Sequence, residues 1–199
     1  ESVREMIQKR ELFPCFFGSA LKMEGIEELL FALSEYTKMP EYQEKFGATV
    51  FKITRDAQGS RLTHLKVTGG VLKARNLLSG HKQNKAEDIW EEKINQIRIY
   101  SGEKYETKDE VEAGTICAVT GLSYTYPGEG LGSQEESELP ILEPVLTYEL
   151  ILPDGVQPQA MMPKLAMLEE EEPELHIVWN EELQEIKIQI MGEVQIEIL

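Results

Sequence analysis

Cysteine is scarce in this 199-residue chain: only Cys15 and Cys117 occur, far apart and each inside an apolar run. That excludes a disulfide framework and a thiolate metal centre, and it makes a reducing cytoplasm the expected compartment. Long hydrophobic runs are missing too. No stretch approaches the ~18–20 apolar residues that span a bilayer, and none has the pattern of a secretory signal, so no membrane contact is expected. The three histidines, His64, His81 and His176, share no ligand spacing, so no metal site is expected. The GxxxxGK[ST] loop that cradles phosphates is absent, and no nucleophile elbow surrounds Ser19; the expected number of catalytic residues is therefore none.

Positive charge is the most unevenly scarce feature. The chain carries a net −16, but residues 1–45 hold 6 basic and 9 acidic side chains, residues 46–132 hold 12 and 11, and residues 133–199 hold 2 and 16. A segment as acidic as the last repels phosphate and suits solvent or a basic protein, so any nucleic-acid contact is expected from the middle. The consecutive carboxylates Glu169–Glu172 fan out around a helix and cannot converge on one ion, which makes them read as a solvated helix end.

Taken in order, residues 2–10 predict a short helix and residues 12–17 a strand. The small-residue turn Gly18-Ser19-Ala20-Leu21-Lys22 follows. Met23, Ile26, Leu29, Leu30 and Leu33 then recur at the spacing of an amphipathic helix ending near Tyr36. Pro40 stops helix continuation, and the polar residues up to Lys45 read as a linker, placing a boundary near residue 46.

From Gly47 the period changes. Residues 49–53 and 61–67 alternate polar and apolar across a turn-rich 55–60, a hairpin signature. Further strands are predicted at 71–72, 77–78, 92–100 and 115–119 with glycine turns between them, the rhythm of a small antiparallel barrel closing near Leu122. Trp90 and Trp179 read as core or barrel-edge aromatics. After the acidic connector 133–144, with Pro140 and Pro144, a second boundary falls near residue 143. The last segment predicts a strand at 145–152, a helix at 160–170, a hairpin of 175–179 with 185–190, and a helix from Val194. That β-α-β-β-α order is a ferredoxin-like split. The whole is a multi-domain α+β chain.

These segments carry a family resemblance. VFKIT, GSRLTHLKVTGGVL, EKINQIRIY, VEAGTICAVTGL and YPGEGLG, then EPVLTYELILP, KLAMLEEEEPELHIVW and EIKIQIMGEVQIEIL, resemble in order and spacing the second and third domains of elongation factor G and the tetracycline-resistance ribosomal protection proteins. In that light residues 1–45 look like the terminal strand and helix of a P-loop GTPase domain. Residues 46–143 look like the domain II barrel with its exit linker, and 144–199 like a partial domain III. The resemblance makes Ser19, Ala20 and Leu21 the guanine-contacting loop of the intact protein. It implies GTP and Mg in that protein and neither in these residues alone. It also implies a cytoplasmic, monomeric GTPase that binds the ribosome, with domain II on small-subunit rRNA and domain III on a basic ribosomal protein. Arg61 and Lys66, alternating with apolar positions and so expected to face outward, are the candidate rRNA contacts. The runs Ile99-Tyr100-Ser101-Gly102 and Lys66-Val67-Thr68-Gly69-Gly70 resemble the drug-protection branch, and an elongation factor G or G-like translocation factor is the alternative. The drug-displacing residues of that branch belong to a later domain.

Two motifs mislead. Asn84-Lys85-Ala86-Glu87 imitates a guanine-specificity motif but ends in Glu and follows the Ser-Ala-Leu loop where the family's order places it before. Gly128-x-Gly130-x-Gly132 imitates a phosphate loop but lacks the strand and helix around it, and Glu129 would repel phosphate. A chain beginning at Glu1 and stopping inside an apolar pattern at Leu199 is expected to be an excerpt of a longer protein. An independent protein- or RNA-interaction module is the reading from another class, and it gives no reason for a GTPase's strand, loop and helix at its front. The missing phosphate loop predicts that the isolated chain binds no GTP. Titration calorimetry with GTP and magnesium is expected to show no stoichiometric site, and a micromolar one would contradict this.

Overall fold

A computed structural model of the chain describes residues 2–38, 40–83, 85–137, 144–153 and 155–198, with the side chains of 85–87 left aside. Contacts divide it into two units, Glu1–Glu41 and Tyr42–Leu199.

In the first unit, Ser2 and Glu5 close a reciprocal capping box that starts helix α1, Val3–Gln8. Helix α2, Ile26–Tyr36, begins after Gly25 and ends where the Thr37 amide bonds the Leu33 carbonyl. Arg4 and Glu35 pair at 3.1 Å. Residues 12–17 form no strand, contrary to their apolar run. A strand needs a neighbour to complete its ladder, and the described residues of this unit offer none. Ala32 is buried on α2, while Leu30, Phe31 and Leu33 stay exposed.

The second unit begins earlier than the composition suggests, because the Gly70 amide donates to the Gln43 carbonyl and the Tyr42 ring lies against Gly114. Its strands run β1 Gly47–Arg55, β2 Arg61–Gly69, β3 Val71–Lys73, β4 Leu77–Lys82, β5 Lys85–Lys93, β6 Gln96–Ser101, β7 Lys104–Lys108, β8 Glu110–Glu112, β9 Ile116–Thr120 and β10 Gly130–Gly132. Six of them form an antiparallel sheet in the order β10-β1-β2-β9-β6-β7, and the ribbons β3-β8 and β4-β5 complete the barrel. The predicted strand 92–100 is two strands split at Ile94-Asn95. The barrel wall continues past Leu122 to β10, whose Leu131 is fully buried against β1. The false phosphate loop is thus a closing strand. Val50, Ile53, Leu65, Val67, Leu72, Ile94, Ile97, Val119 and Leu131 make the core, each worth about 1.5–3 kcal/mol of burial.

Trp90 and Glu129 sit in that wall, 3 % and 2 % exposed. The indole Nε1 donates to Glu129 Oε1 at 3.1 Å, and the Tyr126 amide donates to Oε2 at 3.3 Å. Gly80 faces Trp90 across β4 and β5, and a Cβ there would meet Glu129 Oε1 at 2.2 Å and the indole at 2.6 Å, so only glycine leaves room for the pair.

The last segment adds β11 Leu146–Glu149, α3 Pro158–Glu171, a 3₁₀ turn Pro173–Leu175, β12 Val178–Asn180, β13 Glu185–Ile190 and α4 Glu193–Ile198. Its sheet order β11-β13-β12 is the split β-α-β-β-α arrangement. Leu165, Leu175, Ile186 and Ile190 are buried there. The predicted boundary near 143 and half of its connector, residues 138–143, lie outside the described residues, as do Asn84 and the side chains of Lys85, Ala86 and Glu87.

Burial pushes the Glu129 carboxyl up to about 7, against the Trp90 and Tyr126 hydrogen bonds that hold it down. A carboxyl raised in the folded state holds its proton where the unfolded chain has lost it. Its contribution to stability is therefore full below the unfolded value of about 4.3 and is lost as pH rises through the folded one. Melting curves from pH ~5 to ~8 are expected to show a decline that Glu129→Gln flattens. An identical slope in the variant would contradict the assignment.

Candidate functional site

Between residue 18 and α2 the chain turns tightly. Ser19 and Glu24 exchange backbone hydrogen bonds at 3.0 and 3.1 Å, and the Lys22 and Met23 amides close the turn onto Ser19 and Ala20. Gly25 adopts φ 76°, and a Cβ there would strike the Phe17 carbonyl at 2.6 Å; one at Gly18 would strike that of Glu24 at the same distance. The two glycines therefore fix the shape of the turn. Ser19 is partly buried, Ala20 is exposed and Leu21 is 97 % exposed, so the turn presents Ala20 and Leu21 to solvent.

The two candidate rRNA contacts part company on β2. Lys66 is exposed as its alternation predicts. Arg61 is not: its side chain is 16 % exposed. Nη1 donates to Thr63 Oγ1, the Leu122 carbonyl (3.0 Å) and Thr125 Oγ1 (2.8 Å), Nη2 donates to the Thr125 carbonyl, and Nε pairs with Glu170 Oε2 at 3.3 Å. Arg61 shares the face of buried Thr63, Leu65 and Val67, at the end of the core, where the loop through Thr125 and the end of α3 cover it. A spacing of five places residues 61 and 66 on opposite faces of one strand, so only Lys66 takes the outward face.

The same place corrects the reading of Glu169–Glu172 as a solvated helix end. Arg55, 15 % exposed, holds Glu170 at 2.7 Å and Glu171 at 3.0 Å and also donates to the Met167 carbonyl. Lys52 pairs with Glu172 at 3.2 Å, and Glu169 accepts the Ile177 amide at 2.8 Å. The C-terminal end of a helix is its negative pole, α3 has no basic residue in its last turn, and the barrel supplies the missing cations. A cleft of about 610 Å³ opens beside this contact, lined in part by Arg61, Lys82, Tyr124, Ala166 and Glu170.

Further along the barrel face, Arg98 is buried against Asp56 at 3.0 Å. Arg98 and then the Ser60 amide hold the Asp56 carboxyl below its ordinary value. His64 bonds Thr54 Oγ1 through Nε2 at 2.7 Å; burial, and then the charge of Lys52, lowers its pKa and keeps the ring neutral at pH 7. Trp90 belongs to the core, as the sequence suggests. Among the described residues no group of three His, Cys, Asp or Glu side chains could hold a metal, and no helix is long and apolar enough to cross a membrane.

The antiparallel barrel and the split β-α-β-β-α layer are similar in fold to part of a Thermus thermophilus protein solved by crystallography. The two superpose with a TM-score of 0.67 at 22 % identity, over 87 % of this chain and 27 % of that one. In sequence, the chain is similar along its whole length to proteins named elongation factor G. It is 27 % identical to that of Amoebophilus asiaticus over 225 aligned residues, covering 100 % of this chain and 31 % of the relative. For Ureaplasma parvum the values are 28 % over 223, covering 99 % and 31 %. For elongation factor G 2 of Syntrophus aciditrophicus they are 26 % over 224, covering 100 % and 32 %. The chain is thus elongation factor G-like from end to end and spans about a third of the length of these relatives. No protein-family model matches it.

Arg61→Ala strips several buried acceptors of a charged donor and is expected to cost ~2–3 kcal/mol of stability in urea titrations. Lys66→Ala is expected to stay within about 0.5 kcal/mol. Equal effects would show that the Arg61 contacts contribute little.

Proposed function

We propose that this chain is part of a ribosome-binding translational GTPase. Residues 1–45 close its GTP-binding domain, residues 46–143 form the barrel that follows, and residues 144–199 open the third domain. The observation that supports this reading is collinearity: the tight small-residue turn, the barrel and the split layer occur in the order in which elongation factor G relatives match the whole chain. The protein works in the cytoplasm as a monomer.

In the intact protein, Ser19, Ala20 and Leu21 border the guanine base. The turn suits that role, because Gly18 and Gly25 hold it in one shape while Ala20 and Leu21 leave its backbone approachable. GTP with Mg supplies the hydrolysable phosphoanhydride, and the residues described here neither hold its phosphates nor act on them. Lys66, on a barrel segment with 12 basic residues, faces small-subunit rRNA. Arg61 takes a structural part, binding the barrel to α3. Exposed Glu181, Glu182, Glu193 and Glu197 give the third domain an acidic surface for a basic ribosomal protein.

A drug-protection factor, which releases tetracycline from the ribosome, is the second reading. The runs Ile99–Gly102 and Lys66–Gly70 favour it. The full-length protein is expected to hydrolyse GTP faster with ribosomes than without, and no stimulation would leave the interaction-module reading. Rescue of translation in tetracycline selects the protection branch; stimulated hydrolysis without rescue selects the translocation factor. Lys66→Ala is expected to lower the salt slope of ribosome binding by about one unit or less, and an unchanged slope removes Lys66 from the contact.

A further inference from the structure

The outer face of the barrel carries a row of rings that its core does not use. Phe51 on β1, His64 on β2, Tyr100 on β6 and Tyr105 on β7 follow one another with centroids 6.1, 6.2 and 5.3 Å apart. Phe51 is 45 %, Tyr100 36 % and Tyr105 47 % exposed. Three local features assemble the row. The register shift between Val50 and Lys52 presents Phe51. On β9, Ala118 is the residue opposite both His64 and Arg98, and its small side chain lets His64 and Tyr100 approach across the intervening strand. Arg98, held by Asp56 and Gln96, places its guanidinium 4.5 Å from the Tyr105 ring centre and so backs that ring with a fixed cation.

Lys52 and Lys66 flank the row, Lys52 opposite His64 in the ladder and Lys66 two residues on along β2. A hollow of about 400 Å³ opens beside it between Thr54, His64, Arg98, Tyr100 and Tyr105. Glu103 borders the hollow; Asp56 is neutralised by Arg98, and Lys52 shares its charge with Glu172.

We propose that this face is a stacking platform for unpaired bases of single-stranded RNA, with Lys66 and Lys52 on the flanking phosphates. Exposed ring faces in a row accept any base by its π-face, whereas the bases of a duplex are already stacked and out of reach. A neutral His64 keeps the row continuous without adding charge to it. The inference deepens the proposed function and rests on it for the choice of an RNA occupant, while the flanking lysines select for an anionic strand.

The test is fluorescence anisotropy of the chain with a labelled, unstructured A/U RNA of about ten nucleotides and with the blunt duplex of the same sequence. The single strand is expected to bind at low salt at least about tenfold more tightly than the duplex. Phe51→Ala and Tyr105→Ala are each expected to weaken it roughly five- to a hundredfold. Tyr105→Phe is expected to bind like the parent, whereas Tyr105→Leu, which keeps apolar bulk but no ring, is expected to bind like Ala. Circular dichroism checks that each variant is folded, and the Phe and Leu variants carry the comparison where Ala does not fold. No saturable binding by the parent, equal binding of duplex and single strand, or parent-like binding by Tyr105→Leu would each overturn the platform. Ribosome-stimulated GTP hydrolysis by the full-length protein separates the two ideas. Hydrolysis without RNA binding by the chain rejects only the platform, and RNA binding without hydrolysis keeps the platform and rejects the ribosome reading.

Discussion

The contact on which the arrangement of the second unit depends is electrostatic, between the end of α3 and two arginines of the first barrel hairpin. Four consecutive carboxylates at the negative pole of a helix are an unfavourable arrangement when left to themselves. Arg55 and Arg61, both mostly shielded from water, turn it into a short-range attraction and satisfy a Met167 carbonyl at the same helix end. Exposed ion pairs contribute ~0–1 kcal/mol each. A shared set with two largely covered guanidiniums, each holding several acceptors, is a stronger case, because removing one partner leaves charges and carbonyls unsatisfied. The uneven charge of the chain is therefore partly internal. Some of the acid of the last third answers the base of the middle, and the remainder faces outward.

The same hairpin separates two surfaces. Its Arg55–Arg61 end is occupied by α3, whereas Lys66 and the ring row look out from the sheet, so the barrel can be held on one side and exposed on the other. Beneath both, the core supplies the rigidity. The Trp90–Glu129 pair is a polar insertion in that wall, accommodated by the missing side chain at Gly80.

Much of this was legible in the residues. The alternation of Glu185–Ile190 predicts its strand, and the switch from period two to helical spacing and back predicts the order of the last segment. Elements without an apolar signature were not legible. All five residues of Lys104–Lys108 are exposed, Glu110–Glu112 is three residues long, and Gly130–Gly132 is mostly glycine, so each is a strand by virtue of its neighbour's hydrogen bonds. The opposite error occurs at residues 12–17, where apolar residues supply the composition of a strand without a ladder partner. Of the candidate residues, only the exposure of Lys66 was readable from alternation. Arg61 takes the opposite face, that of Thr63 and Leu65, and one of its partners there, Glu170, lies more than a hundred residues further along the chain. The ring row was hidden because its members come from four strands that are not all adjacent.

The clamp at α3 also constrains how this sequence can drift. A lysine ammonium is a point donor on a flexible stem and cannot reach two carboxylates and a carbonyl as the planar fork of Arg55 does, so exchange of one cation for the other is not neutral here. Loss of an arginine would strand acids at a helix end already negative, and loss of the acids would strand arginines in a nearly dry seam. Substitutions at 55, 61, 170 and 171 should therefore be inherited as sets, so that among divergent relatives these positions change together or not at all.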